Sequence, residues 1–302
     1  MWYDISIHMK SAPDISIVVS CWNASDIVES ALESIVATAG DVAVEVTIID
    51  DASTDGGFAH VAEKFKSDTR FTFVKNETNV GISALNIMLE RSRAKYILLL
   101  DSDARLLPGV LQALLAFMEN TPNAGAATGN LHYPNGSLQN YYRRLMTPMR
   151  AFFTTVPGRF VDKYFLGLRN YNSYHYQDLD ATRVFEIEQP PLSCLILRRE
   201  ALGSRILDPD FSTLFIDVDL CRRIYDCGYK IYLVPDAKVT HIKSVDFSRR
   251  PRAARNLVFY TGLQSYFNKH YPASALLMSV IMLVDRVLRA LMERTIGRAP
   301  MR

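Results

Sequence analysis

The sequence predicts an α/β protein with a mixed, mainly parallel central sheet, flanking helices and a C-terminal helical extension. From Ile15 onward, short β-branched runs alternate with segments of helical periodicity. The run Tyr96 to Leu100 is apolar throughout, as is typical of strands buried on both faces of a parallel sheet. Two strands end on acids, at Asp50-Asp51 and at Asp101-Ser102-Asp103, and open α/β sheets bind ligands at the carboxyl ends of their strands.

Composition excludes several classes of protein. The 302 residues include 34 Lys plus Arg, 32 Asp plus Glu and 49% hydrophobic residues, values that fit a globular protein rather than a disordered or coiled-coil chain. The net charge of +2 gives no electrostatic case for nucleic acid as a partner. Four scattered cysteines form no CxxC pair, so we expect neither a zinc ribbon nor a disulfide framework, and a reduced cytoplasmic location. The N-terminus lacks an apolar stretch behind a basic one, so we expect no cleaved leader peptide.

The first half of the chain alternates strands and helices. Periodicity predicts strands at 15–20, 42–49, 71–75 and 96–100. It predicts helices at 26–38, 58–65 and 81–93, and Pro108 opens a further helix that ends near Asn120. The order is therefore β-α-β-α-β-α-β-α.

The second half is less regular. Residues 130–188 are rich in aromatic side chains and weakly periodic, so we interpret them as an insertion over the sheet edge. A strand at 192–197, a helix at 217–227 that Gly228 ends and a strand at 229–234 follow.

The tail carries an apolar run at 273–284, about half of the roughly 20 residues that a spanning helix needs. A basic flank that includes Arg286, Arg289 and Arg298 follows it. The pattern predicts either an interfacial amphipathic helix or a core or dimer helix.

Two acidic motifs follow predicted strands and are candidate ligand-binding groups. Asp101 and Asp103 are two residues apart, so an extended chain points both carboxylates to one side, where they suit Mg²⁺ or Mn²⁺ bridging nucleotide phosphates. Alone, such a pair is equally typical of a solvated loop or a helix N-cap. Asp50 and Asp51 open the segment DDASTD, whose carboxylates can bind base and ribose groups. The alternative is that Ser53, Thr54 or Asp55 caps the next helix.

Two further positions complete the pattern. Asp217 and Asp219 lie at the start of an apolar helix, and an acid near a bound nucleotide is a candidate general base. Asp219 is better explained by the favourable position of a carboxylate in a first helical turn. His241 follows a strand and is a candidate metal ligand.

Taken together, these segments resemble a family 2 glycosyltransferase of the GT-A fold, close to bacterial rhamnosyltransferase-like members. The resemblance covers roughly residues 13–245. It is carried by VVSCWN at 18–23, DDASTD at 50–55, NVGISALN at 79–86, LLLDSDARL at 98–106, PNGSLQNYYRR at 134–144, LILRREAL at 195–202, DPDFSTLFIDVDLCRR at 208–223 and GYKIYLVPDAKVTHI at 228–242.

The resemblance implies a role for each matching residue. Asp217 would be the catalytic base, and Asp101, Asp103 and His241 would hold Mg²⁺ or Mn²⁺. Asp51, beside Asp50, would bind the base or ribose of the donor. The full donor-binding set would be Ser20, Trp22, Asn23, Asp50, Asp51, Asn79, Gly81, Asn86, Asp101 and Ser102.

It also implies an organisation and partners. Residues 1–245 would form the transferase domain, with a nucleotide-sugar half at 13–130 and an acceptor half at 131–245, and residues 246–302 would be a helical extension. The donor would be a dTDP- or UDP-sugar. The acceptor would be a glycan or a lipid-linked glycan at the inner face of the cytoplasmic membrane, where the protein would be peripheral. A homodimer is a further expectation.

Departures from the family pattern leave alternatives open. Ile216 stands where members commonly carry Glu, and PPLSCL replaces the Gly-rich turn near Ser193. A non-catalytic paralogue that binds a nucleotide sugar or a partner is therefore one alternative. A phosphohydrolase of the haloacid-dehalogenase type is another, because a buried strand leads into DxD. Arg143 and Arg144 either contact a diphosphate acceptor or form a solvated pair.

Overall fold

The computed structural model describes residues 12–167, 174–176, 179–211, 214–242 and 252–296. Residues 1–11, on which the leader-peptide expectation rests, lie outside this part, as does Arg298 of the basic flank. Within it, nine strands form one sheet: β1 (Ile15–Cys21), β2 (Val44–Asp50), β3 (Phe71–Lys75), β4 (Tyr96–Asp101), β5 (Ala104–Leu106), β6 (Ala124–His132), β7 (Phe185–Glu186), β8 (Cys194–Arg198) and β9 (Lys230–His241). Their order across the sheet is β3-β2-β1-β4-β8-β6-β9-β5, and β7 pairs with β9.

The first four strands form the parallel side of the sheet. They are β1 (Ile15–Cys21), β2 (Val44–Asp50), β3 (Phe71–Lys75) and β4 (Tyr96–Asp101). The parallel ladders are the longest in the sheet, while β8 (Cys194–Arg198) joins both β4 and β6 antiparallel. The prediction of a mixed, mainly parallel sheet is confirmed.

Helices cover both faces of this sheet. They are α1 (Ser25–Thr38), α2 (Phe58–Phe65), α3 (Ile87–Arg91), α4 (Val110–Asn120), α5 (Pro148–Thr154), α6 (Val156–Val161), α7 (Ile216–Asp226), α8 (Arg252–His270) and α9 (Pro272–Ile296). Along β4, Leu98 and Leu100 pack with α1 and α4, whereas Ile97 and Leu99 pack in the core that contains α7 and α8. This alternation explains why β4 is apolar at every position from Tyr96 to Leu100.

The predicted helix at 81–93 is wrong in its first half. Gly81–Asn86 is a 3₁₀ helix, and α3 begins only at Ile87. The backbone N–H groups of Val80 and Gly81 donate to the Asp51 carboxylate, and Gly81 has a φ of 69°. These contacts tie the segment to the sheet and leave it no room for a regular α-helical first turn.

Sequence periodicity does not predict two of the strands, and a third strand is longer than predicted. The short β5 (Ala104–Leu106) and the long β6 (Ala124–His132) were not predicted. Strand β9 (Lys230–His241) continues seven residues beyond the predicted end at Val234, past a register shift opposite Gly129 and Asn130.

The aromatic-rich segment 130–188 only partly fits the predicted insertion over the edge. Its first residues belong to β6, and Phe185–Glu186 form β7 against β9. Between them lie α5, α6 and a π-helical turn at Asp162–Leu166. Thr147 and Thr155 accept hydrogen bonds from the first turns of α5 and α6, and Pro148 and Pro157 lie in those turns, so both helix starts are locally encoded.

The predicted C-terminal helical extension is present as α8 and α9. The two helices pack on each other, and α9 also packs on α5 and α6. Leu263 and Phe267 of α8 and Met278 of α9 join the core that contains α7. Gly262 lies so close to the backbone of Leu214 that a Cβ there would crowd it.

Among the described residues, we find no helix with the length and apolar character needed to cross a membrane.

Candidate active site

A cavity of about 680 Å³ opens at the carboxyl ends of β1, β2 and β4. This volume is in the range of small-molecule sites. Six of the ten predicted donor-binding residues line it, together with unpredicted apolar residues that include Leu192, Pro209 and Phe211. The six are Ser20, Trp22, Asp51, Asn79, Gly81 and Asp101.

Asp51 shapes one wall of this cavity. Its side chain is 2% exposed, and Oδ1 accepts hydrogen bonds from Asn76 Nδ2 at 2.8 Å and from the backbone N–H of Val80 at 3.0 Å. Its Oδ2 accepts one from Gly81 N–H at 2.7 Å. Asp51 therefore holds the loop 76–81 against the sheet, and its direct contact with a donor stays a prediction.

The other four predicted donor-binding residues do not line the cavity. Asn23 Oδ1 accepts from Thr54 N–H at 2.8 Å. Asp50 is fully buried and accepts from Ser53 N–H at 2.9 Å inside the loop. The alternative that Ser53, Thr54 or Asp55 caps the next helix is wrong, because Gly57 is the N-cap of α2 and no side chain caps it. Asn86 is bonded to the backbone of 206–207. The fourth is Ser102.

Asp101, Asp103 and His241 form one cluster beside the cavity. Each contributes a ligand atom, and these atoms lie within 4.8 Å of one another. His241 Nε2 is 3.2 Å from Asp103 Oδ1 and 3.6 Å from Asp101 Oδ2. Two carboxylates and an imidazole suit Mn²⁺ and also Mg²⁺, which commonly takes one or two carboxylates and completes its shell with water and substrate phosphates.

Sheet register brings His241 to the two aspartates. Strand β5 pairs antiparallel with β9 and places Ala104 opposite His241. The backbone N–H of Ile242 donates to Asp103 O at 3.1 Å, which closes this pairing. Asp103 and His241, 138 positions apart in the sequence, are thus brought together by the pairing of β5, a strand that the sequence did not predict, with β9.

Gln139 fixes the tautomer of His241. Its Nε2 donates to His241 O at 2.6 Å, so its Oε1 is the atom that faces Nδ1, at 2.9 Å. Because Oε1 only accepts, Nδ1 carries the proton and the lone pair of Nε2 points at the carboxylates. A histidine held in this way is prepared for a metal ion.

Asp101 opens to the cavity, with 40% of its side chain exposed, yet it lies deep in a protein cleft. That burial raises the pKa of its carboxyl group, and the hydrogen bond with Ser193 acts in the opposite direction. A bound cation would favour the ionised form, so the cluster fits a divalent ion electrostatically.

Asp217, the predicted base, lies in the first turn of α7. Gln189, which is 7% exposed, donates from Nε2 to Asp217 Oδ2 at 3.0 Å. Burial raises the pKa of Asp217, while the Gln189 hydrogen bond lowers it. Phe215, just before α7, has a φ of 70°, a left-handed conformation that is strained for a bulky residue.

Asp219 has a structural role. It is fully buried and forms ion pairs with Arg223 at 2.8 Å and Lys269 at 2.6 Å, and its Oδ1 is hydrogen-bonded with His270 Nε2 at 2.7 Å. Although burial opposes ionisation, these partners hold the pKa of Asp219 well below its usual range. The expectation of a non-catalytic Asp219 agrees with these contacts, but the reason is an ion cluster with α8 rather than the helix dipole.

Gln139, Gln189 and Ser193 support the site, and sequence reasoning missed their roles. Ser193 Oγ is 3.4 Å from His241 Nε2 and Gln189 holds Asp217, so residues 189–193 connect the metal cluster with the candidate base. Four peptide units reach at most about 14 Å. Gln139 lies in the PNGSLQ segment, but an amide carries no ionisable signal that would mark it from sequence.

Comparison with known proteins identifies the family. The model of glycosyl transferase family 2 matches residues 16–189, more than half of the chain. The chain belongs to glycosyl transferase family 2. This membership argues against the phosphohydrolase alternative. Asp217 and His241 lie beyond the matched range, so their roles stay predictions.

Curated relatives align with part of the chain. A putative teichuronic acid biosynthesis glycosyltransferase, TuaG, of Bacillus subtilis (strain 168) is 33% identical over 118 residues, which cover 39% of this chain and 46% of that protein. A poly-beta-1,6-N-acetyl-D-glucosamine synthase of Staphylococcus epidermidis is 31% identical over 124 residues, or 41% of this chain and 30% of that protein. The alignments span less than half the length of these relatives.

Solved structures share the fold. A structure of GalNAc-T7 with UDP, GalNAc and Mn²⁺ superposes with a TM-score of 0.56 at 17% identity, covering 78% of this chain and 45% of that one. Residues 1–349 of S. aureus TarS superpose with a TM-score of 0.51 at 16% identity, covering 86% and 74%. These likenesses confirm the predicted GT-A fold.

Proposed function

We propose that this family 2 member is an inverting, metal-dependent glycosyltransferase. It moves rhamnose or another hexose from a dTDP- or UDP-linked donor to a glycan or lipid-linked acceptor in cell-surface polysaccharide biosynthesis. The observation that carries the proposal is the Asp101–Asp103–His241 cluster beside a cavity of about 680 Å³ at the carboxyl ends of the parallel strands.

In the proposed reaction, the groups that act lie at the two ends of the segment 189–193. At the Gln189 end, Asp217 accepts the proton of the acceptor hydroxyl while that oxygen attacks C1 of the sugar from the face opposite the diphosphate. The new C1–O bond forms as the bond to the diphosphate oxygen breaks, and the diphosphate leaves with the electron pair. A divalent ion held by Asp101, Asp103 and His241 would supply positive charge for that leaving group.

Ile216 bears on which residue acts as the base. It is 1% exposed and packs in the core, so this position presents no side chain to an acceptor. The base role therefore falls to Asp217 alone. Its half-buried position and its contact with Gln189 support this assignment.

The relatives support the rest of the proposal. Two are named for the synthesis of teichuronic acid and of a poly-N-acetylglucosamine, both polysaccharides. The GalNAc-T7 structure contains UDP and Mn²⁺, which favours a UDP-sugar and manganese as the first ligands to test.

The exposed face of α9 supports a peripheral position on a lipid surface. Among its described residues this face is apolar except for Arg286, while Asp285 lies buried on the other side. We propose that this face rests on the cytoplasmic membrane, as interfacial helices do. Its apolar members are Leu276, Leu277, Val280, Leu283, Val284, Val287, Leu291 and Met292.

A thermal-shift panel of dTDP-, UDP- and GDP-sugars, with and without Mn²⁺, tests the donor and metal assignments. At about 100 times Kd, a ligand specific for the folded state adds about 2.7 kcal/mol, or roughly 5 °C in Tm for a chain of this size. We expect this shift with one nucleotide only, in the presence of Mn²⁺, and its loss in Asp103→Ala.

Asp41→Ala is the matched control, because Asp41 is exposed at the opposite, amino-terminal end of the strands. An equal shift without metal, or in Asp103→Ala, would contradict the metal assignment. Donor binding without transfer to any acceptor would favour the non-catalytic alternative that the departure at Ile216 raises.

A further inference from the structure

Three exposed aromatic side chains lie at the end of α6 and in the π-helical turn that follows it. They are Phe160, Tyr164 and Phe165, which are 55%, 62% and 74% exposed. In the part of the chain that the structure describes, the one other exposed Phe, Tyr or Trp is Trp22, which lines the cavity of the candidate active site. Leu166 beside them is exposed as well. We call these four residues, 160 and 164–166, the aromatic tip. Clustered exposed apolar side chains mark an interaction site.

The aromatic tip has a defined conformation. The ring centroid of Phe160 lies 4.8 Å from that of Tyr164 and 6.2 Å from that of Phe165. Gly167 closes the turn with a φ of 62°, and its N–H donates to Asp162 O at 2.7 Å. The rings therefore form one apolar surface in the absence of any partner, and binding does not have to order it.

The charged side chains near the aromatic tip are arranged with a cation outside and an acid inside. Lys163 is exposed, and its Nζ lies 5.0 Å from the ring centroid of Tyr164. Asp162, the one acid of α5, α6 and the turn, is buried. The described side chains of α9 repeat this arrangement, because Arg286 is exposed and Asp285 is buried. Exposed apolar and cationic side chains together are complementary to an anionic lipid surface.

The shape of the aromatic tip also favours a bilayer as its partner. Residues 163–167 are all exposed, so the turn is convex. A convex apolar tip enters a fluid bilayer without a complementary pocket, whereas a protein partner would have to provide one. Phe and Leu side chains suit the boundary between headgroups and acyl chains, and the polar ends of Tyr and Lys suit the headgroup level.

Two hydrogen bonds join this region to α9. Val156 N–H, at the start of α6, donates to Asp285 Oδ1 at 2.7 Å, and Arg289 Nη2 donates to Thr154 O at 3.2 Å. Phe165 follows Val156 by nine positions, which is roughly 13 Å along a helix axis. The aromatic tip is therefore attached through one short helix to the helix whose exposed face we place on the membrane.

We propose that the aromatic tip is a second membrane contact, which inserts Phe160, Phe165 and Leu166 into a bilayer that carries anionic headgroups. Tyr164 and Lys163 stay at the headgroup level. A single interfacial helix leaves the protein free to rotate about the helix axis, and a second contact removes this rotation. The inference rests on the peripheral membrane position proposed above and deepens it, because two contacts fix the orientation of the protein on the membrane.

Phe165→Trp places a depth probe in the aromatic tip. Its emission, after subtraction of the wild-type emission from Trp2 and Trp22, is recorded with vesicles of phosphatidylglycerol and phosphatidylethanolamine. We expect a blue shift and at least about twofold quenching by lipids brominated on their acyl chains, because the side chain enters the apolar boundary. Ile27→Trp, at an exposed position on α1, is the matched control and should show neither effect.

Lys163→Gln tests the complementary charge. Loss of one cation at an anionic surface should weaken binding to phosphatidylglycerol vesicles by about fivefold and change binding to phosphatidylcholine vesicles by less than about twofold. Arg93→Gln, at another exposed cation, should leave both affinities within about twofold of the wild type. Equal effects of the two substitutions would show that only the total charge of the protein matters.

Phe160→Ser/Phe165→Ser removes the apolar surface itself. It should weaken vesicle binding by about tenfold, because the two side chains lose their transfer into the apolar boundary. Both positions are exposed, so the melting temperature without vesicles should stay that of the wild type. A wild type that dimerises without vesicles, together with a monomeric double variant, would make the aromatic tip an interface between copies instead.

The remaining outcomes separate this inference from the proposals on which it rests. Absence of quenching in Phe165→Trp, or equal quenching in Ile27→Trp, would overturn the second contact and leave the α9 face in place. Absence of wild-type binding to every vesicle would overturn both contacts. The nucleotide-sugar thermal shift with Mn²⁺, measured without vesicles, reports on the transferase proposal alone, because none of the substituted residues lines the cavity of the candidate active site.

Discussion

At the scale of single residues, the candidate base depends on one neutral amide. Gln189 is nearly buried, and its only described side-chain hydrogen bond goes to Asp217. Its Nε2–H group stabilises the carboxylate against the burial that raises the pKa of Asp217. Gln189 is thus a positioning residue that sets both the orientation and the proton affinity of the base.

Replacing Gln189 by Leu should therefore raise the pKa of Asp217. The lost hydrogen bond favoured the charged form, so its removal moves the titration, and the acid limb of any rate profile, to higher pH. NMR titration of ¹³C-labelled aspartate carboxyl groups measures this directly, with Asp217→Asn identifying the signal. Gln112→Leu is the control, because Gln112 donates only to the backbone carbonyls of Thr38 and Ala39, which are distant from Asp217 in the sequence. An unchanged or lowered pKa would show that the amide does not control the base.

Sequence alone located the ionisable part of the site but not its neutral support. Asp101 and Asp103 were predictable because they follow a buried strand, and His241 because the family resemblance implies a metal-proximal histidine at its position. Gln139, Gln189 and Ser193 hold these groups through side chains that occur on any surface. Asn86 shows the converse, because a residue inside a recognisable motif is bonded to the loop 206–207 instead of lining the cavity.

At the scale of elements, α7 is held from its two sides by different chemistry. Its Asp217 side faces Gln189, while Asp219 is clamped by Lys269 and His270 at the end of α8. Lys269 also pairs with Asp208 at 2.6 Å. The C-terminal extension therefore fixes the helix that carries the candidate base.

Asp219→Asn should destabilise the fold by about 3 kcal/mol at pH 7, because it leaves buried cations without their counter-charge. The partners of Asp219 hold its folded pKa below the unfolded value of about 3.9. The stabilisation is therefore complete above about pH 4 and is lost as the pH falls below it, so the difference between wild type and variant narrows in acid. Urea unfolding of the wild type and the variant at pH 7 and pH 3 measures the loss of stability and its dependence on pH.

Asp226→Asn is the matched control on the same helix. Asp226 pairs with Arg222 at 2.8 Å but is 49% exposed, so its loss should cost less than about 1 kcal/mol. Equal effects of the two substitutions would contradict a special role for the buried cluster.

The elements that sequence missed are those with unusual composition. Strand β6 reads AGAATGNLH and has few β-branched residues, because a Cβ at Gly129 would collide with Ala237 O of β9. Close packing of β6 against β9 thus requires small residues. Because small residues have a low strand propensity, propensity does not predict this strand. Helix α8 belongs to the predicted helical extension, but its bounds were not predicted, because it packs on several sides at once, against α7, α9 and the loop at Leu214.

At the scale of the whole molecule, α9 presents its more apolar face outward. Leu276 is 80% exposed and Leu283 is 59% exposed, whereas the inward face contains Asp285. Exposed apolar surface of this extent marks an interaction site. The basic flank predicted from sequence is only partly described, with Arg289 turned toward Asp285 and Thr154.

The full chain should float with vesicles of phosphatidylglycerol and phosphatidylethanolamine, and Leu276→Glu/Leu283→Glu should reduce the floating fraction by about tenfold, because two charges would enter the apolar interface. Ile27→Glu/Leu107→Glu, at two other exposed apolar positions, serves as the control. If the wild type dimerises without vesicles and the double variant is monomeric, the face is an interface between copies instead.

The segment 189–193 has a consequence for protein engineering. One backbone stretch of fixed length contacts both His241 of the metal cluster and the candidate base Asp217, so inserting or deleting a single residue within it would displace one of these contacts relative to the other. The helical region 147–166 bears no such constraint, because neither the candidate base nor the metal cluster is bonded to it among the described residues. Exchange of that region between relatives would accordingly leave the side-chain bonds of the candidate base and the geometry of the metal cluster unchanged.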